Sequence, residues 1–394
     1  MDASEAKRII ARFLDLIREP VMQGLEDAIP DAGPYASELY EPMLRYPRRR
    51  AKLLRPALCI AAAMATGGML EQALPTAVAI ELYHNAFLIH DDVEDRSLQR
   101  RGGDTLYREL GMSAAMNVGD GMLALALGPL LENTKVLGLG PALRVLEAMR
   151  EMAVETAEGQ ALELDWIRRG VWQLADDDYI TMVHKKTGHY TFINPVRLGG
   201  LIGGAEPSAA HALDAYATKC GIAFQIADDL LNLQGAEATT GKEWAGDLAE
   251  GKRTLILLHA LRAATAHERA TALEILARPR PEEPSANLLR QRAALARLRA
   301  MHDEGRLQAE ELSDLEALLA TEEEEGQPDR PKSPEDVAFL FELVRRRGSM
   351  EHARRIAVEY SRRARARLEE AALPAGQPHE FLEAVAVYAV QRNV

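Results

Sequence analysis

The sequence predicts an all-α fold. Apolar residues recur at three-to-four spacing along nearly the whole chain, and no segment alternates with the period of two that a strand requires. Ala and Leu are abundant, whereas β-branched runs are rare. Read in order, the periodicity predicts helices over 5–28, 35–46, 52–66, 71–95, 105–110, 113–133 and 141–167. It continues through 176–185, 188–203, 208–233, 252–264, 268–277, 286–301, 307–323, 333–346, 349–371 and 378–391. Lys52 and Arg55 precede Pro56 and open the apolar helix at 52–66. The long apolar helices at 71–95 and 208–233 each carry an acidic cluster near the C-terminal end. Gly-Gly-Leu-Ile-Gly-Gly at 199–204 lacks the strand context of a nucleotide loop and predicts close helix packing or a turn. Residues 279–331 open with Pro-Arg-Pro-Glu-Glu-Pro and close on an acidic, Pro-containing run, with two short amphipathic patterns between. That stretch reads as a helical hairpin inserted into one domain spanning 1–394.

With 394 residues the chain can bury a large core, and its 47% hydrophobic content is ordinary for a globular protein. The formal net charge of −13 argues against a nucleic-acid partner, which needs a basic surface. Cys59 and Cys220 are the only cysteines, so no disulfide framework is readable and a reducing, cytoplasmic location is expected. The N-terminus lacks a signal-peptide apolar core, and no integral membrane segment is expected.

Two acidic clusters carry the chemistry. The first is His-Asp-Asp-Val-Glu-Asp, with Asp91, Asp92 and Asp95; the second is Gln-Ile-Ala-Asp-Asp-Leu-Leu-Asn, with Asp228, Asp229 and Asn232. Residues three and four apart share a helix face, so each trio can converge on one point. Carboxylates this close repel, and at a helix C-terminus they also meet the negative end of the macrodipole. A cation relieves both penalties. Hard oxygen donors select Mg²⁺, with Mn²⁺ as the alternative, and Mg²⁺ is commonly bound by few carboxylates plus substrate phosphates. Two such clusters predict a cavity that holds a diphosphate through metal ions.

The polar and basic residues around the clusters extend the pattern. His84 lies seven residues before Asp91 and Gln225 three before Asp228, on the same helix faces as the carboxylates. Lys52 and Arg55 lie upstream, Arg100 and Arg101 follow the first cluster, Lys185, Lys186 and Thr187 form a separate knot, and Lys242 and Lys252 flank Asp247 after the second cluster. Arg binds phosphate oxygens bidentately and Lys acts as a point charge. Any one of these cations alone reads as a solvated surface charge. As a set around two Asp clusters they read as diphosphate ligands.

These segments resemble the trans-polyprenyl (isoprenyl) diphosphate synthases. The resemblance rests on Lys-Leu-Leu-Arg-Pro (52–56), the run from His84 to Gly102, Lys-Lys-Thr-Gly (185–188), Phe-Gln-Ile-Ala-Asp-Asp-Leu-Leu-Asn (224–232) and Gly-Asp-Leu-Ala-Glu-Gly-Lys-Arg-Thr-Leu (246–255), all in the family's order. It covers about 30–394 apart from the insertion. It implies an isoprenoid-synthase-type helical bundle around a central cavity, a homodimer, and head-to-tail prenyl transfer between isopentenyl diphosphate and an allylic diphosphate. By resemblance, Asp91 and Asp95, with Asp92 in support, would hold Mg²⁺ on one side of the allylic diphosphate. Asp228, with Asp229 nearby, would hold it on the other, with about three ions per site in all. Arg100, Lys186 and Lys252, assisted by Lys242, would bind that diphosphate; Lys52, Arg55, His84 and Arg101 would bind isopentenyl diphosphate. Thr187 and Gln225 would face the developing allylic cation, and Asp247 would act through metal-bound water. Asn232 stands where many members have Asp, a form that also occurs in geranylgeranyl diphosphate synthases of eukaryotic type.

In this family the product grows along the first-motif helix, so Phe87 and Ala86, four and five residues before Asp91, would set its length. Tyr83 and Met122 would form a deeper floor. A helix rises about 1.5 Å per residue, so moving the floor by one turn changes depth by roughly one isoprene unit. The expected product is geranylgeranyl diphosphate, with farnesyl diphosphate next and chains of twenty-five carbons or more last. A class I terpene cyclase and a non-catalytic subunit of a heteromeric synthase are the other readings. A cyclase has no use for the set Lys52, Arg55, His84 and Arg101, and a non-catalytic subunit has none for intact acidic motifs.

Overall fold

The computed structural model describes residues 1–394 apart from 32, 50, 235–244, 280–285, 304–305, 309–311, 313–314, 316–330 and 391–394. Helix α1 (Ala3–Ala28) starts at Asp2, whose carboxylate accepts the Glu5 N–H at 2.9 Å. A short π-helical turn, Ala36–Tyr40, leads into α2 (Glu41–Arg48). Helices α3 (Leu54–Ala65) and α4 (Leu70–Glu94) are the centre of the molecule. Each has buried residues around its whole circumference, which marks a core helix rather than a surface one.

After α4 the chain makes a small antiparallel hairpin, β1 (Gln99–Arg100) and β2 (Gly103–Asp104), with Arg100 opposite Gly103. Its two turn residues, Arg101 and Gly102, have φ of +54° and +74°, as a two-residue hairpin turn with matching twist demands. Strands two residues long leave no alternation to read, which is why the sequence shows none.

Helices α5 (Leu106–Leu110), α6 (Met112–Leu125), α7 (Leu127–Val136) and α8 (Leu139–Arg168) follow. The single helix expected over 113–133 is divided at Ala126. Pro129 cannot donate to the Leu125 carbonyl and its ring crowds that oxygen, so the ladder restarts. The run Met112–Val136 is long and apolar enough, by length and composition alone, to cross a membrane, a test that the core helix of a soluble protein also passes.

The two helices expected at 176–185 and 188–203 are one unbroken rod. It consists of α9 (Asp176–Val183), a π-helical stretch His184–Ile193, and α10 (Asn194–Gly203). On α10 the glycines permit contact with α3. A Cβ at Gly199 would sit 2.2 Å from the Cys59 carbonyl oxygen, and one at Gly203 would sit 2.0 Å from Thr66 Oγ1. The rod then ends at Gly204 with φ +77°, so the 199–204 segment is both a close approach and a turn.

Helix α11 (Pro207–Gln234) carries the second acidic motif. Helices α12 (Gly246–Glu250), α13 (Leu255–Ala263), α14 (Ala266–Ala277), α15 (Ala286–Asp303), α16 (Pro334–Arg346), α17 (Ser349–Glu370) and α18 (Gln377–Tyr388) complete the described elements. The helix expected over 307–323 falls largely outside the described residues. The two ends of the expected 279–331 insertion are pinned together. The Lys332 N–H donates to the Pro279 carbonyl at 3.0 Å, and the buried Lys332 ammonium donates to the Arg278 carbonyl at 2.6 Å.

Candidate active site

The C-terminal ends of α4 and α11 meet at one cavity of about 800 Å³. Of the residues expected there, Lys52, Arg55, His84, Phe87, Asp91, Arg100, Arg101, Lys186, Thr187, Gln225, Asp228, Asp229, Asn232, Asp247 and Lys252 line it. Lys242 lies outside the described residues. Four of the five non-glycine residues with left-handed backbone among the described residues, Leu53, Arg96, Arg101 and Ala245, lie in the segments that flank this cavity. Such backbone costs about 1–2 kcal/mol per residue and gathers where side chains must be aimed. Leu53 is the clearest case, since it sits between Lys52 and Arg55.

Adjacent residues on a helix point about 100° apart, so the paired aspartates divide. Asp91 faces the cavity, with Lys186 Nζ at 3.4 Å and Arg100 Nη2 at 3.7 Å. Asp92 is wholly buried and accepts from Tyr46 Oη at 2.7 Å and Arg100 Nε at 2.9 Å. Asp229 is likewise buried and accepts from Tyr179 Oη at 2.6 Å and Gln225 Nε2 at 2.8 Å. Both oxygens of Asp92 and both of Asp229 thus accept from protein donors. The Asn232 amide oxygen accepts the Asp247 N–H at 3.2 Å, and its carbonyl accepts the Ala245 N–H at 3.1 Å. Asn232 thus fastens the returning chain to α11, a use that needs no charge.

Lys252 ties the first motif to the segment that follows the second. Its ammonium lies 2.7 Å from Asp95 Oδ2, 3.0 Å from Glu250 Oε2 and 4.0 Å from Asp247 Oδ1. Burial works against its charge, and the three carboxylates outweigh it, holding the ammonium firmly protonated. Burial, then the neighbouring Asp247, pushes Asp229 up to about 8, so negative charge is crowded on this wall. Burial also raises Asp95, and Asp91 adds to the effect. The donors are all oxygens. Among the described residues no three carboxylates converge as a closed metal cage. Carboxylates spread over facing walls suit Mg²⁺, which keeps waters and takes phosphate oxygens to complete its shell. The residues present fit that ion.

A second basic group lines the same cavity. Arg55 donates to His84 Nε2 at 3.0 Å and to Thr191 Oγ1 at 2.7 Å, and its guanidinium lies 4.5 Å from the Tyr190 ring centre. Burial, then Arg55 and Arg101, holds His84 well below the ordinary imidazole range, so it is neutral. Arg101 donates to the Tyr46 carbonyl. Lys185, by contrast, turns away and pairs with Glu155 and Glu158 at 2.7 Å each.

The aromatic end is simpler than expected. Phe87 lines the cavity, with Tyr190 edge-on at 5.6 Å and Tyr83 edge-on at 5.8 Å. Ala86 and Tyr83 do not line it, and Ala86 and Met122 are wholly buried in the main core. Phe87 alone of the four expected length-setting residues reaches the cavity.

Sequence reasoning missed several neighbours. Glu163 on α8 lines the cavity and pairs with Lys186, and Glu81 on α4 is a buried carboxylate near Arg55 and Arg101. Gly159 lets α8 approach the π-helical stretch, because a Cβ there would lie 2.3 Å from the Lys186 backbone nitrogen. A glycine four residues before Glu163 on α8 is the only local signal of that contact.

A family model described as polyprenyl synthetase matches residues 36–291. The chain belongs to the polyprenyl synthetase family. It is an enzyme of the trans-prenyltransferase class, with the all-α fold of that family. A geranylgeranyl diphosphate synthase from Methanosarcina mazei is 36% identical over 238 residues, which is 60% of this chain and 71% of that protein. A (2E,6E)-farnesyl diphosphate synthase from Mycobacterium tuberculosis is 38% identical over 205 residues, 52% of this chain and 55% of the relative. The solved geranylgeranyl pyrophosphate synthase from Corynebacterium glutamicum, complexed with isoprenyl diphosphate and magnesium, superposes with a TM-score of 0.75 at 25% identity, covering 97% of this chain and 99% of that one.

Proposed function

We propose that this polyprenyl synthetase condenses isopentenyl diphosphate head-to-tail with an allylic diphosphate in a Mg²⁺-dependent reaction, and that its product is geranylgeranyl diphosphate. The observation that carries this reading is the presence of two separate basic groups in one cavity. Arg100, Lys186 and Lys252 lie beside the acidic motifs, and Lys52, Arg55, His84 and Arg101 line the same cavity. One diphosphate needs only the first group; a condensation needs both.

Asp91, Asp95 and Asp228 would hold Mg²⁺, which when bound neutralises charge growing on the departing diphosphate. Arg100, Lys186 and Lys252 bind the same diphosphate and add fixed positive charge as the C–O bond breaks. Thr187 and the Gln225 carbonyl present dipoles to the allylic carbon. Lys52, Arg55 and Arg101 bind the second diphosphate and align its double bond with that carbon, a proximity effect of several kcal/mol. The bond forms, and the lost proton leaves with the released diphosphate, so no protein base is assigned.

The test is to incubate the purified protein with Mg²⁺, isopentenyl diphosphate and, separately, dimethylallyl, geranyl and farnesyl diphosphates, and to measure product length by mass spectrometry. A twenty-carbon diphosphate is expected, with Mn²⁺ able to replace Mg²⁺. Cyclised hydrocarbon, or no condensation, would overturn the reading.

Phe87 stands at the apolar end of the cavity, so Phe87→Ala is expected to lengthen the main product by at least one isoprene unit. An unchanged product distribution would remove Phe87 as the floor. The exposed Leu127, Leu131, Leu139, Leu143 and Leu146 on α7 and α8 support a homodimer through that apolar face. Light scattering is expected to give twice the chain mass, and Leu131→Glu to shift it towards the monomer. The free, buried Cys59 and Cys220 support a cytoplasmic location.

A further inference from the structure

We infer that Tyr46 and Tyr179 are a matched pair of positioning residues, one for each acidic motif, that aim the metal-facing aspartates by holding the buried aspartate beside each. The inference rests on the proposed metal role of Asp91 and Asp228.

The two constellations have the same construction. In each, a tyrosine from a helix outside the motif donates its hydroxyl to the second aspartate: Tyr46 on α2 to Asp92 Oδ2 at 2.7 Å, and Tyr179 on α9 to Asp229 Oδ2 at 2.6 Å. Both rings are 1% exposed, and the two carboxylates are 0% and 6% exposed. The other carboxylate oxygen takes a residue assigned to the substrates, Arg100 in the first motif and Gln225 in the second. Each tyrosine therefore connects the scaffold, through one buried carboxylate, to a site side chain.

Tyr46 is tied in further. Its hydroxyl accepts the Leu106 N–H at 2.9 Å, and its carbonyl accepts from Arg101. One residue thus holds the end of α4, the hairpin and the start of α5. A buried carboxylate must satisfy its oxygens, so the tyrosine selects the rotation of the helix end that buries Asp92. The same rotation points Asp91, about 100° away, into the cavity. Tyr179 acts in the same way on Asp229 and, through it, on Asp228. Groups that orient metal-binding carboxylates typically change metal affinity by about 10–100-fold when removed.

Tyr46→Phe and Tyr179→Phe keep the buried rings and remove only the hydroxyls. Tyr216→Phe is the control, since Tyr216 is also wholly buried and its hydroxyl donates to the Leu382 carbonyl at 2.6 Å, away from both motifs. The readout is thermal stabilisation by Mg²⁺ plus inorganic pyrophosphate, which needs no turnover. Each site variant is expected to raise the Mg²⁺ concentration at half-effect by about tenfold, while Tyr216→Phe lowers only the starting melting temperature. Tyr46→Phe added to Asp92→Asn is expected to cost nothing beyond Asp92→Asn alone. Site variants that behave like Tyr216→Phe, or effects that add in the double variant, would overturn the inference. Failure of the wild type to condense substrates would remove the proposed function while the thermal comparison still decides the tyrosines. Absence of any Mg²⁺ response in the wild type would remove both.

Discussion

Asp91→Asn is expected to lower kcat by about a thousandfold while leaving the fold intact. The side chain faces the cavity, with Lys186 and Arg100 at 3.4 and 3.7 Å, and it has the size and shape of the amide that would replace it. The change removes one unit of charge from the set that would hold Mg²⁺ against the departing diphosphate. Losing a single preorganised contact to developing charge costs about 10²–10³ in rate, and weaker metal retention adds to it. Excess Mg²⁺ is expected to recover part of the loss. Rate measurements over a Mg²⁺ titration, with circular dichroism as the control for folding, decide the point. A variant within tenfold of wild type at saturating Mg²⁺ would show that Asp91 does not bear on the chemistry. Asp92→Asn makes a useful contrast, because the loss there should pass through Arg100 and Tyr46 rather than through direct ligation.

Lys186→Met is expected to damage both activity and stability. The ammonium pairs with Glu163 and lies near Asp91, in a position where burial alone would lower its charge and the carboxylates overcome that. Without it Glu163, which is buried, loses its paired ammonium and keeps only the more distant Lys252. Breaking a buried pair from one side costs roughly 3–5 kcal/mol; Lys186 is itself partly solvated, so the lower end is expected. The loss in kcat/KM should reach about a hundredfold, since a direct diphosphate contact is lost. The double variant Lys186→Met with Glu163→Gln separates the two effects. It is expected to regain most of the melting temperature and none of the activity. Recovery of activity in the double variant would show that Lys186 serves the fold and not the diphosphate.

The residues that do chemistry were readable because chemistry marks them. Paired aspartates on an apolar helix, or a histidine seven residues before them, have no cheap structural explanation. The helical layout was readable for the same kind of reason, since periodicity survives in nearly every element. What could not be read was direction. Asp91 and Asp92 are equivalent in sequence, and the tyrosine that buries one of them lies 46 residues upstream on another helix. Lys185 and Lys186 are likewise adjacent, yet one faces the cavity and the other pairs with Glu155 and Glu158. Glu81 and Glu163 look like ordinary helix-surface charges until α3, the hairpin and the π-helical stretch are packed against them. Ala86 was expected at the cavity from its position relative to Asp91, but the side chain belongs to the core face of α4.

The π-helical stretch His184–Ile193 has a consequence for heredity. Its hydrogen bonds close one residue later than those of the flanking α-helices. Deleting a single codon there, for instance that of Gly188, lets the rod relax into ordinary α register without breaking it. A π-helical turn holds the extra residue, so the deletion leaves the flanking helices nearly in phase with each other. The change is confined to the residues between α9 and α10, Lys186 and Thr187 among them. A lineage could therefore gain or lose a residue here in one in-frame step and keep the rod, with the effect falling on the cavity wall rather than on the fold.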